Sequence, residues 1–572
     1  MNPEVTGNYS TPNEIREKEL KMTQDITLHL VKKKLETFQN NVIKDVQNKM
    51  DDMVEGLIKE IQRQEIQTND FKNFATEQYA QIWSNRKIIN HDNENNNSTT
   101  NTNNVKYQGT DVKKPKFKFP EKIFMPRESY LTALLEIKHM RSIYNFFFVI
   151  FIFVFLNNGM HDYFIDGKIK FGFETIITGF GNLHIAFLVW LGLQISTIGI
   201  YFAFQIWSKI RITLRFNESL ERLWNYSCLV FFISFLHIFF YTACVLCPKL
   251  DLPLISSCCV LMEATRFMMK MHAFVRTNAV KQFIGKEKIE ILDKENEFNR
   301  KNHDNIEWKP LPLPPFKNYL YFLFAPTLIY RDSYPRTKKI RWNFVVARLL
   351  EVFAIIFLLS QIHERNMRPL FIDWCKNNKP ITAGTMVASA FGMMMPGLIT
   401  MLTGFYCILH AWMNIGAEIM RFADRMFYRD WWTSGNYTAY YRHWNIVVHD
   451  YLYEYIFRDI YYLTNGSKKL ATIAVFLTSA IIHEVILSFG LRFVYPVMIF
   501  FFIIIGGMLI LLTSRLSQTA GNIIILAGCA MGNGMMMAFY FMEYYARQNC
   551  QIGNKFTDYF IPISLYCNAK CS

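Results

Sequence analysis

Between Val31 and Ile61 the apolar positions are Val31, Leu35, Phe38, Val42, Val46, Met50, Met53, Leu57 and Ile61. Steps of three and four predict a helix that is apolar on one side only. Its other face is dense in Lys, Glu, Asp and Gln, so the stripe needs cover from a second copy, from the membrane domain or from a lipid surface. Beyond Arg141 the pattern changes to apolar runs, at roughly 143–157, 183–206, 226–246, 252–274, 343–362, 386–412, 470–490, 494–512 and 522–543, most of them at or beyond the ~18 residues that cross a bilayer. The expected fold class is an all-α polytopic membrane protein with about nine transmembrane helices and an N-terminal cytosolic amphipathic helix. Two stretches depart from this pattern. The fourth run carries Glu263, Arg266, Lys270 and His272, which must face protein, water or a cytosolic mouth. Tyr319 to Tyr330 is apolar, interrupted by Pro326 and too short to cross, which predicts a re-entrant or surface-lying element.

Composition agrees with a membrane protein. Of 572 residues 51% are hydrophobic and 19% charged, which argues against an ordinary soluble enzyme. The net charge of +15 resides between the apolar runs and in the N-terminal third, which reports topology rather than nucleic-acid binding. With a cytosolic N-terminus the basic loops fall on one side: Lys209, Arg211 and Arg215; Lys281 to Arg341; Arg421 to Lys469. His91 to Asn104 is an Asn/Thr tract that cannot bury a core, and the basic stretch Lys113 to Lys122 precedes the first span, where anionic lipid attracts it. No apolar h-region precedes that span, so no cleavable signal peptide is expected. The expected organisation is a cytosolic helical segment at 1–90 that can oligomerise, a basic Asn-rich linker at 91–126, a membrane domain at 127–549 and a lumenal tail at 550–572.

The 11 cysteines are too sparse for a disulfide scaffold, and the lone CVLC at Cys244 to Cys247 has no second pair at zinc spacing, so no metal site is expected. Cys228, Cys258, Cys259, Cys407 and Cys529 lie inside apolar runs as small core residues. An odd number of spans places the tail in an oxidising lumen, where Cys550 can pair with Cys567 or with the competing Cys571.

Two segments carry candidate chemistry. In the seventh run, TSAIIHEVIL (Thr478 to Leu487) sets His483 and Glu484 deep in an apolar helix, with Ser479 one turn earlier on the same face as His483. An ionisable pair at that depth marks a functional site, although a histidine hydrogen-bonded between helices is the ordinary alternative. The cytosolic segment from Phe427, FYRDWWTSGNYTAYYRHWNIVVHDYLYEYIFRD, interleaves aromatics with Arg and Asp and predicts a folded lid or binding surface. Arg429, Arg442, Lys468 and Lys469 suit phosphates, and Tyr and Trp suit a base or an acyl path. The alternative is an interfacial aromatic belt.

From about Arg127 onward the chain resembles the sterol O-acyltransferases (acyl-CoA:cholesterol acyltransferases) within the membrane-bound O-acyltransferases, in YFLFAPTLIYRDSYPRT (Tyr321 to Thr337), FYRDWW (Phe427, Tyr428, Arg429, Asp430, Trp431, Trp432), YYRHWNIVVHDYLY (Tyr440 to Tyr453), the His483 helix and EYYARQNC (Glu543 to Cys550). FYxDWW with a later intramembrane His marks the branch that also holds the animal-type diacylglycerol acyltransferases, and IYRDSYPR, Ile329 to Arg336, favours the sterol members. The resemblance implies that His483 is the catalytic histidine and Asn445 the second catalytic-site residue, with Trp444 at the thioester end. It places Arg442, His449, Lys468 and Ser479 along the acyl-CoA tunnel, two further tunnel positions being changed to Ala439 and Phe457. Thr433 stands where the family motif ends in Asn, and His139 corresponds to a sterol-binding position. The resemblance also implies the Cys550 to Cys567 disulfide, an endoplasmic reticulum membrane, and a homodimer or homotetramer. Long-chain acyl-CoA, a sterol and membrane lipid are the implied partners, with no cofactor beyond the co-substrate.

The residue types agree with that chemistry. A sterol hydroxyl is a weak nucleophile, and imidazole is a base of near-neutral pKa. An oxyanion in a dry site is served by a neutral amide donor. Glu484 either orients the imidazole or points away, since helix neighbours do not face each other. The acyl-CoA is already activated, so no Ser or Cys nucleophile is needed. Diacylglycerol acyltransferase is the alternative within the same class, with protein acyl transfer third. A transporter with His483 as a proton relay would show inverted repeats, interrupted paired helices or charges recurring along several spans; the sequence shows no internal repeat, and the long aromatic cytosolic segment has no obvious transport role.

Overall fold

The structure is a computed structural model that describes residues 119, 121–167, 172–299, 313–376, 382–550 and 559–565. Contacts divide the chain into Met1–Lys116 and Phe117–Ser572. The first unit, with the Val31 to Ile61 stripe and the Asn/Thr tract, lies outside the described residues.

In chain order the main helices are α1 Lys138–Ile165, α2 Phe173–Thr213, α3 Glu218–Lys249, α4 Leu254–Asn299, α5 Phe316–Phe324, α6 Trp342–Phe371 and α7 Ala383–Ile419. The short α8 Tyr437–Trp444, α9 Ile446–Tyr451 and α10 Arg458–Leu463 follow. The chain then forms α11 Lys468–Leu491, α12 Val497–Thr513 and α13 Gln518–Asn549. Among the described residues there is no strand, only isolated bridges such as Arg127 to Asp424. Among the described residues seven helices (α1, α2, α3, α6, α7, α11 and α13) are long and apolar enough to cross a membrane. The nine runs expected from sequence thus give seven spans by length and composition: α4 carries charges along its length, and α12 is shorter.

Helix starts follow the polar residues that interrupt the apolar runs. Asn217, Asn436, Ser467 and Ser517 each accept a backbone N–H from the first turn of the helix they precede, satisfying donors that have no partner within the helix. Thr382 and Thr385 form a reciprocal pair at the start of α7. Helix α1 buries no side chain from Lys138 to His161, and all but one of its Phe and Ile residues are exposed, as suits a helix solvated by lipid. Helices α7 and α13 cross at backbone contact: a Cβ on Gly397 would lie 2.7 Å from the Gly534 Cα. Small residues are what permit such an approach.

The Tyr319 to Tyr330 stretch becomes α5 and the turn after it. The helix ends where Ala325, preceding Pro326, is extended at φ −60° and ψ 140°, the conformation that proline imposes on its predecessor. Tyr319, Phe322, Leu323 and Tyr330 are fully buried, so the last carbonyls of α5 face protein rather than water. The charges of α4 meet them. Lys270 Nζ donates to the carbonyls of Phe322 at 2.6 Å, Leu323 at 2.9 Å and Ala325 at 2.7 Å, and Arg266 Nη1 donates to Leu323 at 2.7 Å. Glu263 neutralises Arg266 at 2.7 Å and accepts from Trp190 at 2.9 Å. Cations at a helix C-terminus are favoured electrostatically, which explains the charges in the fourth run. Further along α4, His272 bonds Tyr451 at 2.8 Å, and Arg276 is bidentate to Asp459 at 2.7 and 2.8 Å. The same helix therefore holds the segment from α9 to α10.

Lys270→Met keeps the aliphatic stem and removes the ammonium. Stranding buried carbonyls costs about 1–3 kcal/mol each, so the variant is expected to melt at a lower temperature in detergent. An unchanged midpoint would count against this capping role.

Candidate functional site

His483 lies in α11, where its Nδ1 sits 2.7 Å from the Ser479 carbonyl. A carbonyl only accepts, so Nδ1 carries the proton and Nε2 is left as the acceptor, the form a general base requires. One face of the ring stacks on Phe502 at 5.5 Å and 27°, while the side chain remains exposed. Glu484 is buried and points elsewhere: it accepts from the backbone of Met498 and Ile499 and from Tyr540.

Asn445 is the N-cap of α9. Its Oδ1 accepts from Val448 N at 3.1 Å, which turns the amide nitrogen, a donor, the other way. Flanking bonds fix this residue, since Arg429 N donates to His443 O and Ile446 N to Phe427 O, both at 2.9 Å. The FYRDWW segment therefore sets the path of the backbone through Trp444 and Asn445. Trp444 packs on Phe405 at 4.7 Å, Trp431 at 4.8 Å and Tyr440 at 5.5 Å. Rings run on from there: Tyr440 to Tyr441 at 5.3 Å, Tyr441 to Phe502 at 6.3 Å, and Phe502 to His483. No hydrogen bond joins His483 to Asn445 among the described residues; a continuous aromatic path does.

The other candidates are spread more widely. Arg442 is exposed in the last turn of α8, and Lys468 is exposed in the first turn of α11. His449 lies 3.4 Å from Asp450 Oδ1 and parallel to Tyr453. Burial alone would raise the Asp450 carboxyl; hydrogen bonds from His449 and Lys122, the latter at 2.6 Å, hold it below its ordinary value. A small cleft opens beside this pair, lined by Lys122, Phe124, Phe427, Ile446, Val447 and Asp450 among others. Phe457 and Tyr453 pack around Phe119, so Phe457 serves an aromatic cluster. His139 is exposed near the start of α1. Cys550 is disulfide-bonded, and so is Cys375, which sequence reasoning did not single out; Cys567 and Cys571 lie outside the described residues.

Within the segment expected to form a folded lid or binding surface, the FYRDWW rings face inward while Arg429 is exposed. Phe427, Tyr428 and Trp431 are 0–2% exposed, and they form a core with Phe405, Tyr437 and Cys529. Asp430 accepts from Thr433 Oγ1 at 3.0 Å, closing a turn, and Trp432 is half-buried against Tyr130. The rings of Phe427, Tyr428 and Trp431 form a buried wedge beneath Trp444 and Asn445, because aromatic rings gain more from packing than from facing water.

Sequence reasoning missed His410. It is fully buried in a π-helical turn of α7, with Nδ1 at 2.7 Å from the Tyr428 hydroxyl and 3.3 Å from Ser129. Arg348 Nη1 stands 3.2 Å from Nε2. Guanidinium only donates, so Nε2 accepts and Nδ1 holds the proton, and a second neutral imidazole results. Burial pushes the Tyr428 phenol up to about 12, which keeps it neutral as well. A histidine inside the apolar run YCILHAW carried the same signal as His483 and could have been found by it.

The family model described as MBOAT, membrane-bound O-acyltransferase family, matches residues 184–542, which include His410, Asn445 and His483. Sterol O-acyltransferase 1 of Mus musculus is 35% identical to the chain over 453 residues, 78% of this chain and 79% of the relative. Sterol O-acyltransferase 2 of Homo sapiens is 32% identical over 435 residues, 76% of this chain and 77% of the relative.

Tyr428→Phe removes the hydroxyl that meets His410 and leaves a buried imidazole N–H poorly partnered. The expected loss is about 1–3 kcal/mol, read as a lower melting midpoint in detergent with little change in expression. Wild-type stability would show that the wedge does not depend on this bond.

Proposed function

Since the chain belongs to the membrane-bound O-acyltransferase family, we propose that it transfers a long-chain fatty acyl group from acyl-CoA to the hydroxyl of a sterol such as cholesterol, forming a steryl ester. The observation that carries this reading is the His483 imidazole, presented from an apolar helix with Nδ1 bound to a carbonyl and Nε2 left basic. In the reaction Nε2 takes the hydroxyl proton as the sterol oxygen attacks the thioester carbonyl. The Asn445 amide donates to the oxygen that becomes negative. The carbon–sulfur bond then breaks, and the imidazolium returns its proton to the departing CoA thiolate. Trp444 shapes the thioester end, beside the aromatic wedge of Phe427, Tyr428, Trp431 and Trp432. Arg442, His449, Lys468 and Ser479 receive the CoA portion and the acyl tunnel, and His139 contacts the sterol.

In this reading nine helices span the endoplasmic reticulum membrane, with α4 and α12 as the two that length and composition do not select. The N-terminus is cytosolic and the tail from residue 550 lumenal. The segment 1–90 assembles a homodimer or homotetramer, and no metal or resident cofactor takes part. The names of the relatives favour a sterol acceptor over diacylglycerol.

Microsomes containing the protein, given labelled oleoyl-CoA with cholesterol, diacylglycerol or a long-chain alcohol, are expected to label the cholesteryl ester. Labelling confined to triacylglycerol would overturn the sterol assignment. His483→Ala is expected to abolish ester formation at normal abundance, and retention of more than a small residue of activity would rule out the base. Asn445→Ala should lower kcat by about 10²–10³-fold, the effect of losing one oxyanion donor. Arg442→Ala should chiefly raise KM for acyl-CoA; KM-only effects for both residues would refute the division of roles.

A further inference from the structure

Glu484 follows His483 in sequence but lies on another face of α11, where it is 5% exposed. Its carboxylate is fully engaged. Oε2 accepts from Met498 N at 3.0 Å and Ile499 N at 3.2 Å, and Oε1 accepts from the Tyr540 hydroxyl at 3.1 Å. Tyr540 in turn accepts from Met498 N at 3.1 Å. Met498 and Ile499 are in the first turn of α12, which begins after Pro496, and Tyr540 is on α13. One buried side chain thus joins three helices.

The N–H groups of a first helical turn have no partner within their own helix. In water they would be hydrated, but α12 starts in apolar surroundings, so the carboxylate of Glu484 does what water cannot. Further along the same helix, Phe502 lies against the His483 imidazole at 5.5 Å and 27° and touches Tyr441 at 6.3 Å. The Nδ1 bond to Ser479 ties His483 at one atom only. Phe502 supplies the flat support that sets the plane of the ring.

We propose that Glu484 is a positioning residue for acyl transfer: by capping α12 it holds Phe502 against His483 and so fixes the direction in which Nε2 meets the acceptor hydroxyl. This rests on the reading of His483 as the base. Neighbouring positions on a helix do not face each other, so Glu484 acts through α12 rather than on the imidazole itself. It exchanges no proton with substrate, since both of its oxygens are bound within the protein.

The test uses the full-length protein reconstituted in lipid nanodiscs, with initial rates at varied oleoyl-CoA. Glu484→Gln retains an oxygen for the two N–H groups, and the Tyr540 oxygen can accept from its amide, so kcat stays within about threefold of wild type. Glu484→Ala lowers kcat by about tenfold or more, as misplacement of a reacting group does, while KM for acyl-CoA is unchanged. Phe502→Leu does the same, and the double variant is no worse than the weaker of its two parents. Multiplicative losses in the double variant, a fall in Glu484→Gln equal to that in Glu484→Ala, or a KM-only effect would overturn the proposal. Should Glu484→Ala fail to accumulate, Tyr540→Phe takes its place: a severalfold loss of kcat in the wild-type background and none in the Phe502→Leu background are expected, and an equal loss in both backgrounds overturns the proposal. His483→Ala is measured alongside. Residual activity there would sink the reading of His483 as base, whereas an inactive His483→Ala beside a fully active Glu484→Ala would sink only the role of Glu484.

Discussion

A helix that begins or ends away from water must find partners for its terminal N–H and C=O groups inside the protein, and this requirement organises the membrane domain. Where α5 stops at Ala325, the Lys270 ammonium and the Arg266 guanidinium collect its carbonyls. Where α12 starts, Glu484 collects its N–H groups. Glu543 does the same for the backbone of Ile563 and Ser564, at 3.0 and 2.9 Å, while also bonding Arg547 at 2.6 Å. Burying these charges is costly in itself, so each is placed where leaving the backbone unpartnered would cost as well.

The candidate site stands on that framework. Helix α13 carries Tyr540 and Glu543, one beside Glu484 and the other beneath the tail, and it meets α7 at Gly397 and Gly534. Helix α7 contributes His410 to the pocket that receives Tyr428, and the FYRDWW wedge built on Tyr428 fixes Asn445 through backbone bonds on either side. His483 and Asn445 are thus held from opposite ends of one aromatic path by side chains that do not react. His483, His410 and Glu484 differ in exposure. His483 is exposed with Nε2 as its acceptor nitrogen, whereas His410 and Glu484 are buried with their polar atoms committed.

Apolar periodicity located the helices well, because a membrane span is set by length and composition alone: the runs at 470–490 and 522–543 fall inside α11 and α13. Its failures have physical causes. The charges in the fourth run gave no hint of their purpose, since the carbonyls they meet belong to α5, some fifty residues away in sequence. Aromatics interleaved with Arg and Asp suggested a folded lid or binding surface from Phe427 onward, but not which side chains turn inward: Phe427, Tyr428 and Trp431 are buried by tertiary packing. His483 stood out by depth in an apolar run, and His410 had equal depth but no acidic neighbour to draw attention to it. The direction of Glu484 was undecidable from sequence, for it depends on where the N-terminus of α12 docks.

In the proposed reaction acyl transfer is direct, from an activated thioester with His483 as base and Asn445 as amide donor and no protein nucleophile between them. Both substrates must then be bound together before any product leaves. Initial rates measured over a grid of oleoyl-CoA and cholesterol concentrations decide this most directly. Double-reciprocal lines that intersect are the predicted result, and parallel lines, with labelled acyl group retained on the protein when the sterol is omitted, would contradict it.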